Sequence, residues 1–393
     1  MRTLIAGLVI IFCGFELFSA TPTITSVTAQ QRYPWNGKVD ISYKVTGDIA
    51  GMALTNGLVM TLKVTATDTV ANTSYTATTA ALSGSMMLAE GNHAIVWDLD
   101  QQGVNLKSSN VVFNVSCETN AALYCVIDLS AGAEATSYPV TYLAEEPVGG
   151  FTNDTYRTTK LALRRCNAGS FKMQGSTTTT LTKPFYLGVF EVTQKQWMLV
   201  MGSWPNSSPS PGSGSGDGYP AYNVSYNNIR GSSNGAKWPS SAAVDATSFL
   251  GKLQARTKLN FDLPTEAQWE YACRAGTTTT YYWGSSMNGD YAWYTYNSSS
   301  KSHPVGTKKP NAWGLYDMSG NVYEWCLDWY STSLAYGTDP KGSSSGSNRV
   351  YRGGSWSSDD WCCASSYQNG TPPSGYYSND SNRYGFRLSR TLP

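Results

Sequence analysis

The stretch NAWGLYDMSGNVYEW, from Asn311 to Trp325, is typical of the sequence of the C-terminal half of this 393-residue chain. It places four aromatic residues among two glycines and two acidic residues. Similar aromatic, glycine-punctuated segments lie on both sides of it, from Leu161 to the C-terminus. This sequence pattern predicts a domain with many turns and only a few short helices.

Three short helices are predicted in this half. Two of them begin at a threonine followed three residues later by glutamine, the spacing of a capping box: Thr193 with Gln196, and Thr265 with Gln268. The helix at Thr265 is expected to stop near Gly276. A further helix is predicted over 241–256, where one face carries Ala243, Ala246, Leu250 and Leu253.

The N-terminal half has a different pattern. Short alternating runs such as 39–43 and 93–97 are separated by turn residues such as Asn36-Gly37. This spacing predicts an antiparallel β-sandwich of immunoglobulin or fibronectin type over residues 21–116. Residues 117–160 are interpreted as a connector with one strand near 124–129. His93 is expected to be a half-buried strand residue rather than a ligand.

The first twenty residues resemble a secretory leader. Met1-Arg2-Thr3 precedes an apolar run from Leu4 to Phe15, and the small pair Ser19-Ala20 follows. We therefore predict a signal peptide over residues 1–20, with a membrane anchor as the alternative. The protein is expected to be secreted, or held at the cell surface or in the periplasm of a bacterium. No membrane span is predicted after the leader.

Composition excludes several classes of function. The net charge is +1 and only 14% of residues are charged, against roughly 25% in ordinary globular proteins. Nucleic acid is therefore not an expected partner. The chain has two histidines, His93 and His303, in different predicted domains. This argues against a histidine-rich metal site and against a histidine-dependent catalytic triad.

Several ordered segments of the C-terminal half resemble the sulfatase-modifying-factor family, which includes the formylglycine-generating enzymes. The resemblance implies an α+β, C-type-lectin-like fold with little regular secondary structure over residues 161–393. Fold alone does not define activity, so each site residue is considered separately. The matching segments are AGSFKM at 168–173, FEVTQKQW at 190–197, LPTEAQWEYACR at 263–274, the stretch at 311–325, RGGSW at 352–356 and GFR at 385–387.

The resemblance implies an oxidase site whose key residues differ here. Family enzymes oxidise a cysteine of a sulfatase with O2, using Cu(I) held by two thiolates five residues apart after the Arg-Gly-Gly-Ser turn. The first thiolate position is Ser358, and the second is Cys363 if no gap is placed. Counted back from Gln368, however, Cys363 matches a family cysteine that forms a disulfide with the residue at Cys273. Copper is therefore not expected, and Ser355, which matches a serine beside the oxygen pocket, is expected to make a turn hydrogen bond.

The resemblance also implies one structural calcium ion. Its ligands would be Asp317, Gly320, Val322 and Glu324, through two side chains and two backbone carbonyls. A tight loop with this spacing can surround a hard cation with the oxygen ligands that Ca²⁺ prefers. The alternative is that Asp317 and Glu324 are capping or pairing charges.

The roles of Cys362 and Cys326 are left open between alternatives. Cys362 and Cys363 are adjacent, but neighbouring side chains on an extended strand point in opposite directions, which disfavours a shared metal or redox pair. Cys326 is interpreted as a buried small hydrophobe or as a partner of Cys362.

Three hypotheses for function remain at this point. The first is an extracellular binding module that presents a rim of aromatic side chains to a glycan or protein ligand. The second is a working formylglycine-generating oxidase. The third is a ligand-binding protein of the retroelement-diversified kind, which varies the same C-terminal segment. The predicted rim consists of Trp356, Trp361, Tyr367, Tyr376, Tyr377 and Tyr384.

Overall fold

The computed structural model describes residues 23–32, 36–46, 58–84, 90–106, 110–205, 207–375 and 381–393. The predicted signal peptide, residues 1–20, lies outside these ranges. The chain divides into two compact units between Ala121 and Ala122. Within the described ranges, no helix has both the length and the apolar character needed to cross a membrane.

The first unit is rich in β-structure. Two antiparallel sheets form, in the orders β1-β2-β6-β5 and β4-β3-β7. A short helix, α1 (Leu99–Gln102), follows β6. The strands are β1 (Thr23–Gln31), β2 (Lys38–Thr46), β3 (Leu58–Asp68), β4 (Thr73–Thr76), β5 (Leu82–Gly84), β6 (Gly91–Asp98) and β7 (Val111–Ala121).

Alternation along the strands explains the core of this unit. In β2 every second side chain is buried, from Val39 through Ile41 and Tyr43 to Val45. Because alternate residues point to opposite faces of a strand, this places one apolar face inward. Residues of both sheets share one core, which confirms a β-rich N-terminal region. The immunoglobulin-like or fibronectin-like type stays a prediction.

The second unit combines three sheets with short helices. The sheet orders are β19-β13-β10-β8-β9, β11-β12-β15 and β17-β16-β14-β18. The helices are α2 (Asp154–Thr158), α3 (Gln194–Met201), α4 (Tyr226–Arg230), α5 (Phe249–Thr257) and α6 (Glu266–Arg274). The strands are β8 (Tyr124–Asp128), β9 (Val140–Leu143), β10 (Lys160–Cys166), β11 (Gly169–Met173), β12 (Thr177–Leu181), β13 (Phe185–Gly188), β14 (Tyr323–Trp329), β15 (Gly337–Thr338), β16 (Arg349–Arg352), β17 (Gln368–Thr371), β18 (Tyr384–Gly385) and β19 (Ser389–Thr391).

The structure corrects the interpretation of residues 117–160 as a connector. Residues 117–121 complete β7 in the first unit, and the predicted strand near 124–129 is present as β8. Strand β8 pairs with both β9 and β10, so this segment is part of a sheet in the second unit. Its side chains Tyr124 to Ile127 are all buried, which is typical of a strand covered on both faces.

Both capping-box predictions are confirmed. Thr193 caps α3 and Thr265 caps α6, each through reciprocal bonds with the glutamine three residues later. The helix predicted over 241–256 begins later, because Ser248 is its N-cap. Before it, the carboxylate of Asp245 accepts backbone hydrogen bonds from the 233–235 turn, which holds this segment as a loop.

Candidate functional site

The turn after β16 positions the first candidate site. Gly353 and Gly354 adopt φ of +93° and +79°, a region that favours glycine. A Cβ atom on Gly354 would lie 2.6 Å from the Cys363 sulfur, and one on Gly353 would lie 3.1 Å from the Trp269 ring. These close approaches require glycine and direct Ser355 into the interior, where it is fully buried.

A serine–tyrosine cluster, consisting of Ser355, Ser358 and Tyr323, follows from this turn. The Ser358 hydroxyl accepts a hydrogen bond from the Ser355 backbone N–H at 2.9 Å. It also lies 2.9 Å from the Ser355 hydroxyl and 2.7 Å from the Tyr323 hydroxyl. Ser358 is only 6% exposed. Its hydroxyl is therefore committed to protein partners, and Ser355 makes the kind of turn contact predicted from the sequence.

Cys362 and Cys363 lie beside this cluster, in a single 3₁₀ turn from Asp360 to Cys363. Burial raises the pKa of the Cys363 thiol well above its usual range. Burial also raises the pKa of Cys362, although hydrogen bonds with Tyr323 and Tyr367 oppose that effect. Burial therefore favours the neutral thiol form of both side chains.

The predicted disulfide between Cys273 and Cys363 is not formed. No disulfide joins any of the seven cysteines in the described part of the chain, which also leaves Cys326 and Cys362 unbridged. Cys273 instead donates to the Met318 carbonyl at 3.6 Å, and Cys363 packs in a different apolar cluster. Each thiol is thus accommodated separately as a small buried hydrophobe.

The loop predicted to bind calcium forms part of a buried carboxylate cluster, which we define as Glu191, Asp317 and Glu324 together with Arg387. The Arg387 guanidinium forms two bonds with Glu324, Nε to Oε2 and Nη2 to Oε1, each 2.6 Å long. The indole N–H of Trp269 donates to Glu324 Oε2 at 2.7 Å. Glu324 therefore forms an ion pair with Arg387, which agrees with the alternative interpretation that this carboxylate is a pairing charge.

Among the described residues, the other two carboxylates accept their hydrogen bonds from neutral donors. Glu191 accepts from the Asn321 side-chain amide at 2.7 Å and from the Val322 backbone N–H at 3.1 Å. Asp317 accepts from the Gly306 backbone N–H at 2.6 Å. Burial, followed by the charges of Asp317 and Glu324, raises the pKa of Glu191 well above its usual range. Burial likewise raises the pKa of Asp317 to about 6.

This cluster holds more acid groups than cationic ones. Arg387 pairs with Glu324, and its charge opposes the raised pKa values of Glu191 and Asp317, as the charge of Arg157 also does for Asp317. Ionisation of all three buried carboxyl groups would still leave an excess of negative charge. Buried charge without a partner is costly, so the cluster must bind protons or a cation. Among the described residues, no group of three His, Cys, Asp or Glu side chains has a metal-binding arrangement. A cation here would therefore depend on backbone oxygens as well.

The residues predicted to form an exposed aromatic rim differ in their exposure to solvent. Trp361 is 59% exposed and packs edge-on against Tyr367, with ring centroids 5.2 Å apart. Trp356 is only 8% exposed, and its indole N–H donates to the Asn382 carbonyl at 3.2 Å. Tyr384 packs against Tyr323 and Tyr351. Trp356 is thus a buried residue and does not form part of an exposed rim. Tyr376 and Tyr377 lie outside the described residues.

Two residues of the carboxylate cluster, Glu191 and Arg387, were not predicted as site residues. Glu191 stands between Phe190 and Val192, and an acidic residue inside an apolar run is a signal for a buried functional or pairing group. Arg387 ends the Gly-Phe-Arg segment, yet its partner Glu324 lies 63 positions earlier. Sequence spacing gives no indication of that contact.

The fold and these clusters define a domain of the sulfatase-modifying type. Residues 151–392 match the sulfatase-modifying factor enzyme 1-like domain, which spans more than half of the sequence, and the chain belongs to this family.

Relatives with similar sequences differ in their described roles. The chaperone protein LppX of Paenibacillus barcinonensis is 33% identical over 182 residues, covering 37% of this chain and 63% of LppX. The formylglycine-generating enzyme of Streptomyces coelicolor is 35% identical over 144 residues, covering 32% of this chain and 46% of the enzyme. That of Thermomonospora curvata is 31% identical, covering 44% and 55%. The chain thus spans less than two thirds of each of these relatives.

Solved structures also resemble this chain. Treponema denticola variable protein 1 has a TM-score of 0.48 and 29% identity, covering 60% of this chain and 96% of the other. PvdO from Pseudomonas aeruginosa has a TM-score of 0.46 and 25% identity, covering 59% and 94%.

Proposed function

We propose that this chain is a non-oxidising, ligand-binding member of the sulfatase-modifying-factor family. The observation that carries this proposal is the state of Ser358, the position where the resemblance implies the first copper thiolate. Its hydroxyl is buried and bonded to Ser355 and Tyr323. A serine hydroxyl remains protonated near neutral pH and is a poor ligand for a soft ion such as Cu(I).

The nearby cysteines do not replace the missing thiolate. A Cu(I) site needs soft, anionic sulfur ligands. Burial raises the pKa of both Cys362 and Cys363, which favours the neutral thiols. The residues present therefore do not fit the copper site of the family, and no oxidation step is assigned to them.

Binding is assigned to the exposed part of the aromatic rim. Trp361 and Tyr367, whose rings pack edge-on, together present an amphipathic aromatic surface that suits a glycan or a protein ligand. We place this surface on a secreted or cell-surface protein of a bacterium, with an immunoglobulin-like N-terminal domain and a C-type-lectin-like C-terminal domain. Trp361 is the expected anchor, because it is the large exposed apolar side chain of this region.

We propose that the carboxylate cluster holds one structural calcium ion. Asp317 and Glu324 would supply side-chain oxygens, and Gly320 and Val322 would supply backbone carbonyls. Bound Ca²⁺ would neutralise the excess negative charge of the buried carboxylates. The protein itself holds the loop in place, because Arg387 orients Glu324 while Gly306 orients Asp317.

Two experiments test the proposed function. The full chain, loaded with copper, is incubated in air with a cysteine peptide of sulfatase type, and the peptide mass is followed. We expect no mass change, and aldehyde formation would instead support the oxidase. Separately, the full chain and Trp361→Ala are applied to an array of glycans. Retention that is lost in Trp361→Ala is expected, whereas equal retention by both proteins would refute the rim.

A further inference from the structure

An open cavity lies in the C-terminal unit, apart from both clusters described above. Its volume is about 730 Å³, within the range of roughly 300–1,000 Å³ that is typical of small-molecule sites. No residue of the serine–tyrosine cluster or the carboxylate cluster lines it. Neither Trp361 nor Tyr367 of the proposed rim lines it either. The cavity is therefore a separate candidate site.

Apolar side chains that solvent can reach form part of the cavity wall. Ala242 and Ala243 are exposed, and Trp238 is half-buried. All three lie in the segment that precedes α5, and two arginines tie this segment to the rest of the unit. Arg230 donates to the Ala242 carbonyl at 3.4 Å, and Arg349 donates to the Trp238 carbonyl at 3.3 Å. The cavity thus offers a preformed apolar surface, which lowers the entropy that is lost when a ligand binds.

Two lysines of the cavity wall have no acidic partner. Lys183 and Lys341 both line the cavity and are exposed. Among the described residues, neither ammonium group forms an ion pair. The Lys341 ammonium lies 5.8 Å from the centre of the Trp238 ring, which places a positive charge next to the apolar surface. Both ammonium groups are therefore available to an anion.

The two aspartates that line the cavity are held by other protein groups. Asp262 forms a bidentate pair with Arg230, through bonds of 2.7 and 3.0 Å. Asp339 accepts hydrogen bonds from the Thr182 backbone N–H at 2.9 Å and from the Thr182 hydroxyl. Because the pair of Arg230 and Asp262 is neutral, the two positive lysines and the negative Asp339 leave one net positive charge at the cavity.

We propose that this cavity binds an amphipathic monoanion, an apolar group that carries one carboxylate. The apolar part suits the exposed alanines and the Trp238 ring, and the carboxylate suits the two lysines. A dianion such as a phosphate monoester would exceed the single net positive charge and would bring more oxygens towards Asp339. This site does not depend on what the Trp361 rim binds.

Calorimetry on the full chain tests the proposal with octanoate, octanol and octylamine, which share one apolar chain, and with phenylbutyrate as an aromatic carboxylate. At least one of the two carboxylates is expected to bind saturably, and octanoate should bind more tightly than octanol or octylamine. Lys183→Met and Lys341→Met should each weaken carboxylate binding up to about fivefold, the upper range for an exposed ion pair, and should leave octanol binding unchanged. Lys172→Met, at an exposed lysine that does not line the cavity, is the matched control and should bind all four probes normally.

Three results would overturn the proposal. The first is an absence of saturable binding by both carboxylates. The second is an affinity for octylamine that equals or exceeds the affinity for octanoate. The third is unchanged carboxylate binding in both Lys183→Met and Lys341→Met. Lys341→Glu, at an exposed position, adds a test that does not rely on a loss of binding, because an acidic side chain there should favour octylamine over octanoate. An unaltered preference for octanoate in that variant would mean that the anion binds elsewhere.

Discussion

The two buried polar clusters of the C-terminal unit differ in charge. The family resemblance implies a copper ion at the serine–tyrosine cluster and a calcium ion at the carboxylate cluster. The serine–tyrosine cluster is neutral, and its hydroxyls bond to one another. The carboxylate cluster has three acids and one guanidinium. A neutral, internally satisfied cluster has no requirement for a cation, whereas three buried acid groups require either protons or a cation to offset their charge. This contrast is the basis of the two proposals that copper is not held at Ser358 and that calcium is held at Asp317.

The largest expected effect comes from removing the guanidinium. Arg387→Leu leaves three buried carboxyl groups without their cationic partner, and breaking a buried pair in this way costs about 3–5 kcal/mol of unfolding free energy. Urea denaturation measures this loss. The matched control, Lys309→Met, breaks an exposed pair with Asp290 and should have a far smaller effect. Equal losses in the two variants would mean that the carboxylate cluster does not depend on Arg387.

Calcium should stabilise the native state of the wild-type chain. At a free concentration one hundred times its Kd, the gain is about 2.7 kcal/mol, seen as a higher melting temperature that a chelator reverses. Asp317→Asn should lose most of this response. Because burial raises the pKa of Asp317 to about 6, protons compete with calcium below that pH. The calcium-induced shift should therefore be smaller at pH 5 than at pH 8. A wild-type melting temperature that ignores both calcium and chelator would exclude the site.

Sequence patterns predicted the local features of this molecule better than the distant contacts. The capping boxes at Thr193 and Thr265 are visible because their partners lie three residues apart. The late start of α5 was missed, because Asp245 bonds to a turn that precedes it by about ten residues. The resemblance located Asp317 and Glu324, but the pairing of Glu324 with Arg387 follows only from the folded chain.

A smaller effect is expected in the neutral cluster. Tyr323→Phe removes the hydroxyl that bonds to Ser358 at 2.7 Å, with little change in shape. The expected loss is about 1 kcal/mol, the usual net value of one hydrogen bond. Tyr296→Phe, at an exposed tyrosine of the same unit, is the control and should leave the unfolding midpoint unchanged. If Tyr323→Phe also leaves it unchanged, the cluster is not satisfied internally as described.

The smallest expected effect is on catalysis. Ser358→Cys restores one sulfur at the first family copper position, but we expect no conversion of a cysteine peptide to formylglycine. The reason is the state of the second sulfur: Cys363 is fully buried, and burial raises its pKa, so it remains a neutral thiol. The thiol introduced by this substitution would also replace the hydroxyl that now bonds to Tyr323 and Ser355, which loosens the turn instead of organising a site.

Peptide mass spectrometry with copper-loaded Ser358→Cys, beside wild type and a Ser358→Ala control, measures the outcome. Aldehyde formation by the cysteine variant alone would show that one side chain separates this chain from an oxidase, and the contrast between the neutral and acidic clusters would then no longer predict metal preference.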